Sequence, residues 1–429
     1  MDYTGLIIVA VRCVIMLVFL LSFIPVLIWA ERRGAGFIQD RPGPNRADVF
    51  GVRLAGLIQP IADVVKLLFK EDVTPRNVFR PFYKIAPAIT MTVALVTFVV
   101  VPLADVVHVA GRDVSVQVSD LDTGLLYLFA VSSLGVYGIM LAGWSANNKY
   151  ALMGGLRSSA QMISYEIAMG LAAGVMFLLF GTAQLDDMVR AQGANPLGWG
   201  VVSIPGLIAF VMFLVASFAE TNRTPFDLPE GESELVAGYH IEYSAFKFAM
   251  FFMAEYVNMV VASGLLVTLF FGGYQVPFLP TETIVQHAPL IAKVVFGGAA
   301  LVLAGLGVFA FTRYRPGKYG DNRDREPLVV GVLLLVLAVG AAGVGFLPGV
   351  IPGIPGYEHR TVATLLAAAL QIGTFAGKIA LFTWLFIWVR WTLPRFRYDQ
   401  LMRLGWTYLF PIGIFNLVLA GVWVLASSG

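Results

Sequence analysis

The sequence predicts an all-α polytopic membrane protein, and three observations carry that expectation. The 429-residue chain is 58% hydrophobic and 13% charged, more apolar than a soluble domain. Runs of about eighteen or more nearly uncharged residues recur along it, as helices that cross a bilayer require. Lys and Arg fall almost wholly into alternate loops, as the positive-inside rule demands.

Ten spans are expected, at about 4–30, 85–107, 123–144, 160–181, 200–220, 243–271, 290–312, 328–349, 364–390 and 405–426. The first is too long for the h-region of a signal peptide and has no small-residue cleavage site, so it reads as a span. With the N-terminus outside, all but seven of the 29 Lys and Arg fall in inside loops or at their edges; Arg112, Arg190 and Arg360 lie outside, and Arg12, Lys247, Lys293 and Lys378 lie in spans. The first inside loop, 31–84, opens with QDRPGPN at 39–45, which has the chemistry of tight turns. RLAGLIQPIADVVKLLFKE, 53–71, follows. Gln59, Asp63, Lys66 and Lys70 share one helical face and Leu57, Ile58, Ile61, Val64, Val65 and Leu68 fill the other, as in a helix lying in the membrane interface. Pro60 should kink or break it. Segments 182–199 and 350–362 are Gly/Pro-rich connectors on the outside, and no internal repeat of the transporter kind stands out.

Several chemistries are excluded. One cysteine, Cys13, makes no internal disulfide, zinc site or iron–sulfur cluster. Neither G-x-G-x-x-G nor G-x-x-x-x-G-K-[ST] occurs in a binding context, so no nucleotide or flavin is expected on this chain, and no metal. The net charge of +2 suggests no nucleic-acid partner. Redox chemistry here would need electrons from another subunit.

Against that background FAETNRTPFDLPEGESELVAGYHIEY, 218–243, gathers Glu220, Asp227, Glu230, Glu232, Glu234 and Glu242 against one arginine, Arg223. Pro225, Phe226, Leu228, Pro229, Leu235 and Val236 are interleaved, which suits a loop folded onto protein rather than a solvated one. Glu230, Glu232 and Glu234 alternate and should repel one another. Two more acids lie in spans: Glu255 about 18 Å into the sixth, with Lys247 two turns earlier to offset it, and Glu166 about two turns into the fourth beside Tyr165. One such acid is as readily a paired structural group. Several converging at one end of a bundle favour a proton path. His240 reads as a loop histidine. Arg32, Arg33, Arg41 and Arg46 read as topology residues. In TLPRFRYDQLMRLGW, 392–406, Arg395, Arg397, Tyr398 and Asp399 suit topology or the docking of a soluble partner.

ERRGAGFIQDRPGPNR, QPIADVVKLLFKE, GWSANNKYALMGGLRSSAQMISYE, the acidic stretch and LPRFRYDQLMRLGW stand in this order. Together they resemble the signature segments of the quinone-site membrane subunits of NADH:quinone oxidoreductase, respiratory complex I. The resemblance covers 1–285 and 364–425. It implies eight core helices, an interfacial amphipathic helix, and a multi-pass place in the bacterial inner membrane where membrane and peripheral arms meet. It implies a quinone chamber (ubiquinone or menaquinone) shared with soluble neighbours, with Glu31, Arg32, Arg41, Asp63, Lys66 and Phe226 on this chain's side. FMN and the iron–sulfur clusters would belong to partner subunits. Proton coupling toward small and antiporter-like membrane subunits would run through Glu166, Glu220, Asp227, Glu230, Glu232, Glu234, Glu242 and Glu255, passing along Glu242, Glu255 and Glu166. Such a subunit is part of an enzyme and not catalytic alone. Residues 288–363 have no counterpart in the eight-helix pattern and read as a two-helix insertion between a core of 1–285 and a C-terminal core of 364–429. The competing readings are the equivalent subunit of a membrane-bound hydrogenase-type complex and a secondary proton-coupled transporter.

Overall fold

The computed structural model describes residues 3–109, 112–229, 231–315, 322–350 and 359–428. They form an all-helical bundle with one two-stranded hairpin, β1 (Val107–Val109) and β2 (Arg112–Val114). Among the described residues nine helices are long and apolar enough to cross a membrane, and α7 (Ile204–Glu220) is a shorter apolar helix of the same kind. These occupy the ten expected positions.

The helix ends differ from the hydropathy boundaries where it matters most. α1 runs Tyr3–Ile38, past the apolar run, and carries Glu31 and Arg32 on its last turns. Its 36 residues make a helix about 54 Å long, well beyond a ~30 Å core. The interfacial segment is a single tight turn, Leu54–Gly56, followed by α2 (Ile58–Phe69). Pro60 does not kink α2: it is the third residue, where its missing N–H had no partner to lose, so the expected break becomes a helix start. α3 (Arg80–Thr97) begins with Pro81 in its first turn and ends before Pro102, so the expected 85–107 shifts toward the inner loop. α4 is Gly124–Ser145 and α5 Lys149–Phe180. α5 begins eleven residues before its apolar run, capped by the Asn148 side chain, which accepts from the Tyr150 N–H at 2.9 Å. The extra turns carry Arg157 and Ser158 out toward the acidic stretch.

A short α6 (Leu185–Gln192) precedes α7. α8 (Glu232–Leu235) is one turn inside the acidic stretch. α9 (Ala245–Phe270) is the central helix, with every residue from Met259 to Phe270 buried. It packs on α3, α7, α1 and α13 (His359–Thr392). At its C-terminus the Lys378 ammonium, on α13, donates to the carbonyls of Phe271, Gly273 and Gln275 at 2.8–2.9 Å, which satisfies acceptors the helix leaves open. α10 (Thr281–Gln286) leads to α11 (Ala288–Thr312) and α12 (Glu326–Val350), which pack chiefly on each other and touch the bundle through α10 and α13. The N-terminal end of α12 is fixed to the loop after α1: Glu326 accepts from the Arg53 backbone N–H and pairs with its guanidinium at 2.7 Å, both largely buried. α14 (Tyr398–Arg403) continues through a π-helical turn into α15 (Phe410–Ser428), which lies against α5 and α7.

The acidic stretch folds onto the bundle, as its interleaved apolar residues led one to expect. Phe226, Leu228, Leu235 and Tyr239 are buried. The Gln161 amide on α5 donates to the carbonyls of Ala219 and Phe226 at 2.8 and 2.9 Å, and the Phe396 N–H donates to the Pro225 carbonyl at 3.0 Å. Gly154 on α5 and Gly238 in the stretch meet backbone to backbone, where a Cβ on Gly154 would come within 2.7 Å of the Gly238 Cα.

Candidate functional site

Because α1 stays helical past Ala30, Glu31 projects into protein, where its side chain is 7% exposed. A carboxylate so placed needs cations and donors. Arg223 Nη1 donates to it at 2.9 Å and the Tyr256 hydroxyl at 2.8 Å, and Arg390 at the end of α13 pairs with its other oxygen. Arg223 is 2% exposed, and its Nε lies 2.7 Å from Glu255 Oε1. Its guanidinium carbon sits over the Tyr256 ring, 4.4 Å from the centroid. Glu31, Arg223, Glu255 and Arg390 therefore form a charge-balanced buried cluster drawn from α1, the acidic stretch, α9 and α13.

Asp227 extends it. Its Oδ2 accepts from Arg395 at 2.9 Å, and its Oδ1 is buried without a hydrogen-bond partner. Burial pushes the carboxyl up to about 6, with nearby Glu255 adding to the rise and Arg395 opposing it. The folded group thus keeps its proton to about pH 6, where an unfolded one releases it near 3.8. Asp227 accordingly favours the fold at acid pH and loses that contribution as pH rises through this window. Its ionisation should also mark the acid side of the activity profile: below about pH 6 Arg395 loses its partner. Asp227→Asn is expected to remove an inflection near pH 6 from initial-rate profiles. An unchanged inflection would assign that titration to another group.

A second group of acids lies inside the bundle. Glu220, the last residue of α7, faces a cavity of about 40 Å³ whose walls include Thr90, Ser132 and Asn258. That is room for roughly two or three waters. Glu220 Oε2 is buried without a hydrogen-bond partner, and Glu166 on α5 acts on Glu220 electrostatically. The Ser133 hydroxyl donates to Glu166.

Glu242 stands apart from both groups. It accepts from the Asn148 amide at 2.7 Å, and its backbone carbonyl accepts from the Tyr83 hydroxyl at 2.7 Å. Among the described residues no hydrogen bond or ion pair joins it to Glu255 or Glu166. The expected sequence Glu242, Glu255, Glu166 is thus divided among three separate polar clusters. Lys247 does not offset Glu255 either: it pairs with Asp72 at 2.8 Å, and Arg223 takes that role. Lys247 and Glu255 lie on one face of α9 but two turns apart, and the Lys247 side chain turns to the loop between α2 and α3. Glu234 is exposed and pairs with Arg157 at 2.8 Å. Glu230 and the side chain of Glu232 lie outside the described residues.

The residues expected on the quinone side are placed as follows. Arg32 pairs with Asp63, which joins α1 to α2. Arg41 Nε donates to Gln39 at 2.7 Å. Lys66 is exposed on α2, beside exposed Ile61, Val65 and Leu68. Phe226 is buried, stacked on Phe396 at 5.5 Å and near Tyr165. Of the expected docking residues, Arg395 turns inward to Asp227, the Tyr398 ring lies 5.7 Å from the Arg157 guanidinium, and Arg397 and Asp399 form an exposed pair at 2.9 Å. Sequence reasoning did not single out Tyr256, Ser133 or Asn258, and gave Arg223 and Arg390 no partner. The signal for Arg223 was its isolation among six acids. His240 is driven down to about 4 by burial and stays neutral at physiological pH. Among the described residues no group of three or more His, Cys, Asp and Glu could hold a metal ion.

Fold and site together define a polytopic, largely helical membrane protein that buries ion-paired carboxylates where the acidic stretch closes over the bundle. The chain belongs to the NADH dehydrogenase family, which it matches over residues 11–421. It is similar to a NADH-quinone oxidoreductase subunit of Solibacter usitatus, 43% identical over 404 residues that cover 94% of this chain and 93% of that one. Similarity extends to NADH-quinone oxidoreductase subunit 8 of Rhodothermus marinus, 43% identical over 405 residues, 94% of this chain and 93% of that protein. A NADH-quinone oxidoreductase subunit of Flavobacterium psychrophilum is 38% identical over 414 residues, 96% of each.

Proposed function

We propose that this chain is the membrane subunit that frames the quinone site of a proton-translocating NADH:quinone oxidoreductase and couples quinone reduction to proton movement. Its relatives bear the names of such subunits over nearly their whole length, which favours this reading over a transporter. The observation that carries the coupling role is the buried cluster Glu31–Arg223–Glu255 with Arg390 and Asp227, set directly behind the Arg32–Asp63 pair that ties α1 to α2.

The quinone chamber lies between α2 and soluble partner subunits, which supply FMN, iron–sulfur clusters and electrons. Reduction of a neutral quinone to the quinol takes up two protons, and negative charge at the head group precedes their arrival. Arg32 and Lys66 are the nearest cations on this side. A shift of the Arg32–Asp63 pair changes the field at Glu31, one residue along α1. Because Glu31 and Glu255 share the Arg223 guanidinium and Asp227 lies in the field of Glu255, that change alters the charge balance at all three acids. Glu220, with Glu166 and the small cavity that Thr90, Ser132 and Asn258 help to line, takes up or releases the proton on the membrane side. The chain sits in the bacterial inner membrane with its N-terminus outside. Small and antiporter-like membrane subunits receive the proton-linked change, and α11 and α12 form a peripheral layer tied down by Arg53–Glu326.

The reading is tested by gentle purification of the tagged chain from its own membranes. Flavin and iron–sulfur absorbance should co-elute with it, together with NADH-driven reduction of a short-chain quinone. A chain that elutes without chromophore, and whose deletion leaves membrane NADH:quinone reductase intact, would refute it.

A further inference from the structure

The end of the bundle opposite the acidic stretch holds a cavity of about 690 Å³ between α1, the β1–β2 hairpin and α13. Its walls are aliphatic, with Ile8, Ile15, Leu365 and Ile372 among them, and Arg12 and Arg112 enter it. Among the described residues no carboxylate lines it. The neighbouring acids are engaged elsewhere, Asp113 with His108 at 2.8 Å and Asp105 with Arg190 at 3.0 Å. Arg12 is the one charged residue between Tyr3 and Ala30, and its Nε is buried without a hydrogen-bond partner. It lies about 14 Å along α1 from Tyr3, and a guanidinium set into apolar surface at that depth needs an anion.

We propose that this cavity binds an anionic phospholipid, with its phosphodiester held by Arg12 and Arg112 and its acyl chains laid on the aliphatic walls of α1 and α13. Phosphate oxygens accept from guanidinium forks in pairs, so one phosphodiester serves both arginines. A carboxylate from a partner helix could meet the arginines too, but it brings no chains to cover the aliphatic walls. The volume falls in the ordinary range of ligand pockets, about 300–1,000 Å³.

The test uses the detergent-solubilised membrane complex that contains this chain. A photoactivatable phosphatidylglycerol with its reactive group on the acyl chain should label α1 near Ile15 or α13 near Ile372, in competition with unlabelled phosphatidylglycerol and not with phosphatidylcholine. The double variant Arg12→Met, Arg112→Met should retain phosphatidylglycerol about tenfold more weakly by native mass spectrometry, as loss of a charge-assisted contact implies. Equal competition by phosphatidylcholine, or undiminished retention by the variant, would overturn the proposal. Loss of a protein subunit from the variant with lipid content unchanged would assign the site to that subunit instead. The labelling arm needs no variant, so a variant that fails to assemble still leaves the proposal open to refutation.

Discussion

Arg223→Met is expected to remove most of the assembled complex. The guanidinium serves two buried carboxylates at once, Glu31 at 2.9 Å and Glu255 at 2.7 Å. Methionine keeps much of the volume and supplies no charge. Glu31 retains Arg390 and the Tyr256 hydroxyl, so Glu255 is the group that loses its ion-pair partner, with only the more distant Arg390 acting on it. Breaking a buried pair from one side costs about 3–5 kcal/mol, a large part of a domain's net stability. Adding Glu255→Gln removes the orphaned charge, so the double variant should recover assembly on native gels while NADH-driven quinone reduction stays low. Normal assembly and turnover in Arg223→Met alone would show that the cluster is neither structural nor coupled.

Glu220→Gln is expected to leave assembly intact and to lower both quinone reduction and proton pumping on the order of a hundredfold, the scale of a lost proton-transfer group. Glutamine matches glutamate in volume, and the cavity with Thr90, Ser132 and Asn258 offers partners for its amide. What is lost is the titratable proton, so both rates should fall together. Pumping at the wild-type ratio and rate in inverted vesicles would return Glu220 to a purely structural acid.

These two predictions rest on different parts of what could be read beforehand. Glu220 was legible because a carboxylate ending an apolar run is conspicuous in one dimension, and its place at the end of α7 followed from hydropathy. Arg223 was visible as a lone cation among acids, yet its partners were not. Glu31 is 192 residues away in the chain, and Arg390 is 359 residues from Glu31. Lys247 shows the same limit from the other side: it shares a face of α9 with Glu255 two turns away, and it pairs with Asp72.

The order and number of the spans, the folded character of the acidic stretch and the absence of cluster or nucleotide motifs were fixed by the sequence alone. Transfer of apolar side chains from water is a local, additive quantity that a window of residues reports directly. Where the helices end was not: α1 and α5 run past their apolar stretches, where Glu31, Arg157 and Ser158 find partners on other elements. Which carboxylates share a guanidinium, and which one faces the small cavity, was decided only in three dimensions. Ion pairing in a low-dielectric interior depends on separations of about 3–4 Å between side chains from distant segments, and helix packing sets those separations. The acids that looked like one series therefore resolve into a guanidinium-bound cluster at the loop end, a separate pair beside the cavity, and Glu242 on Asn148.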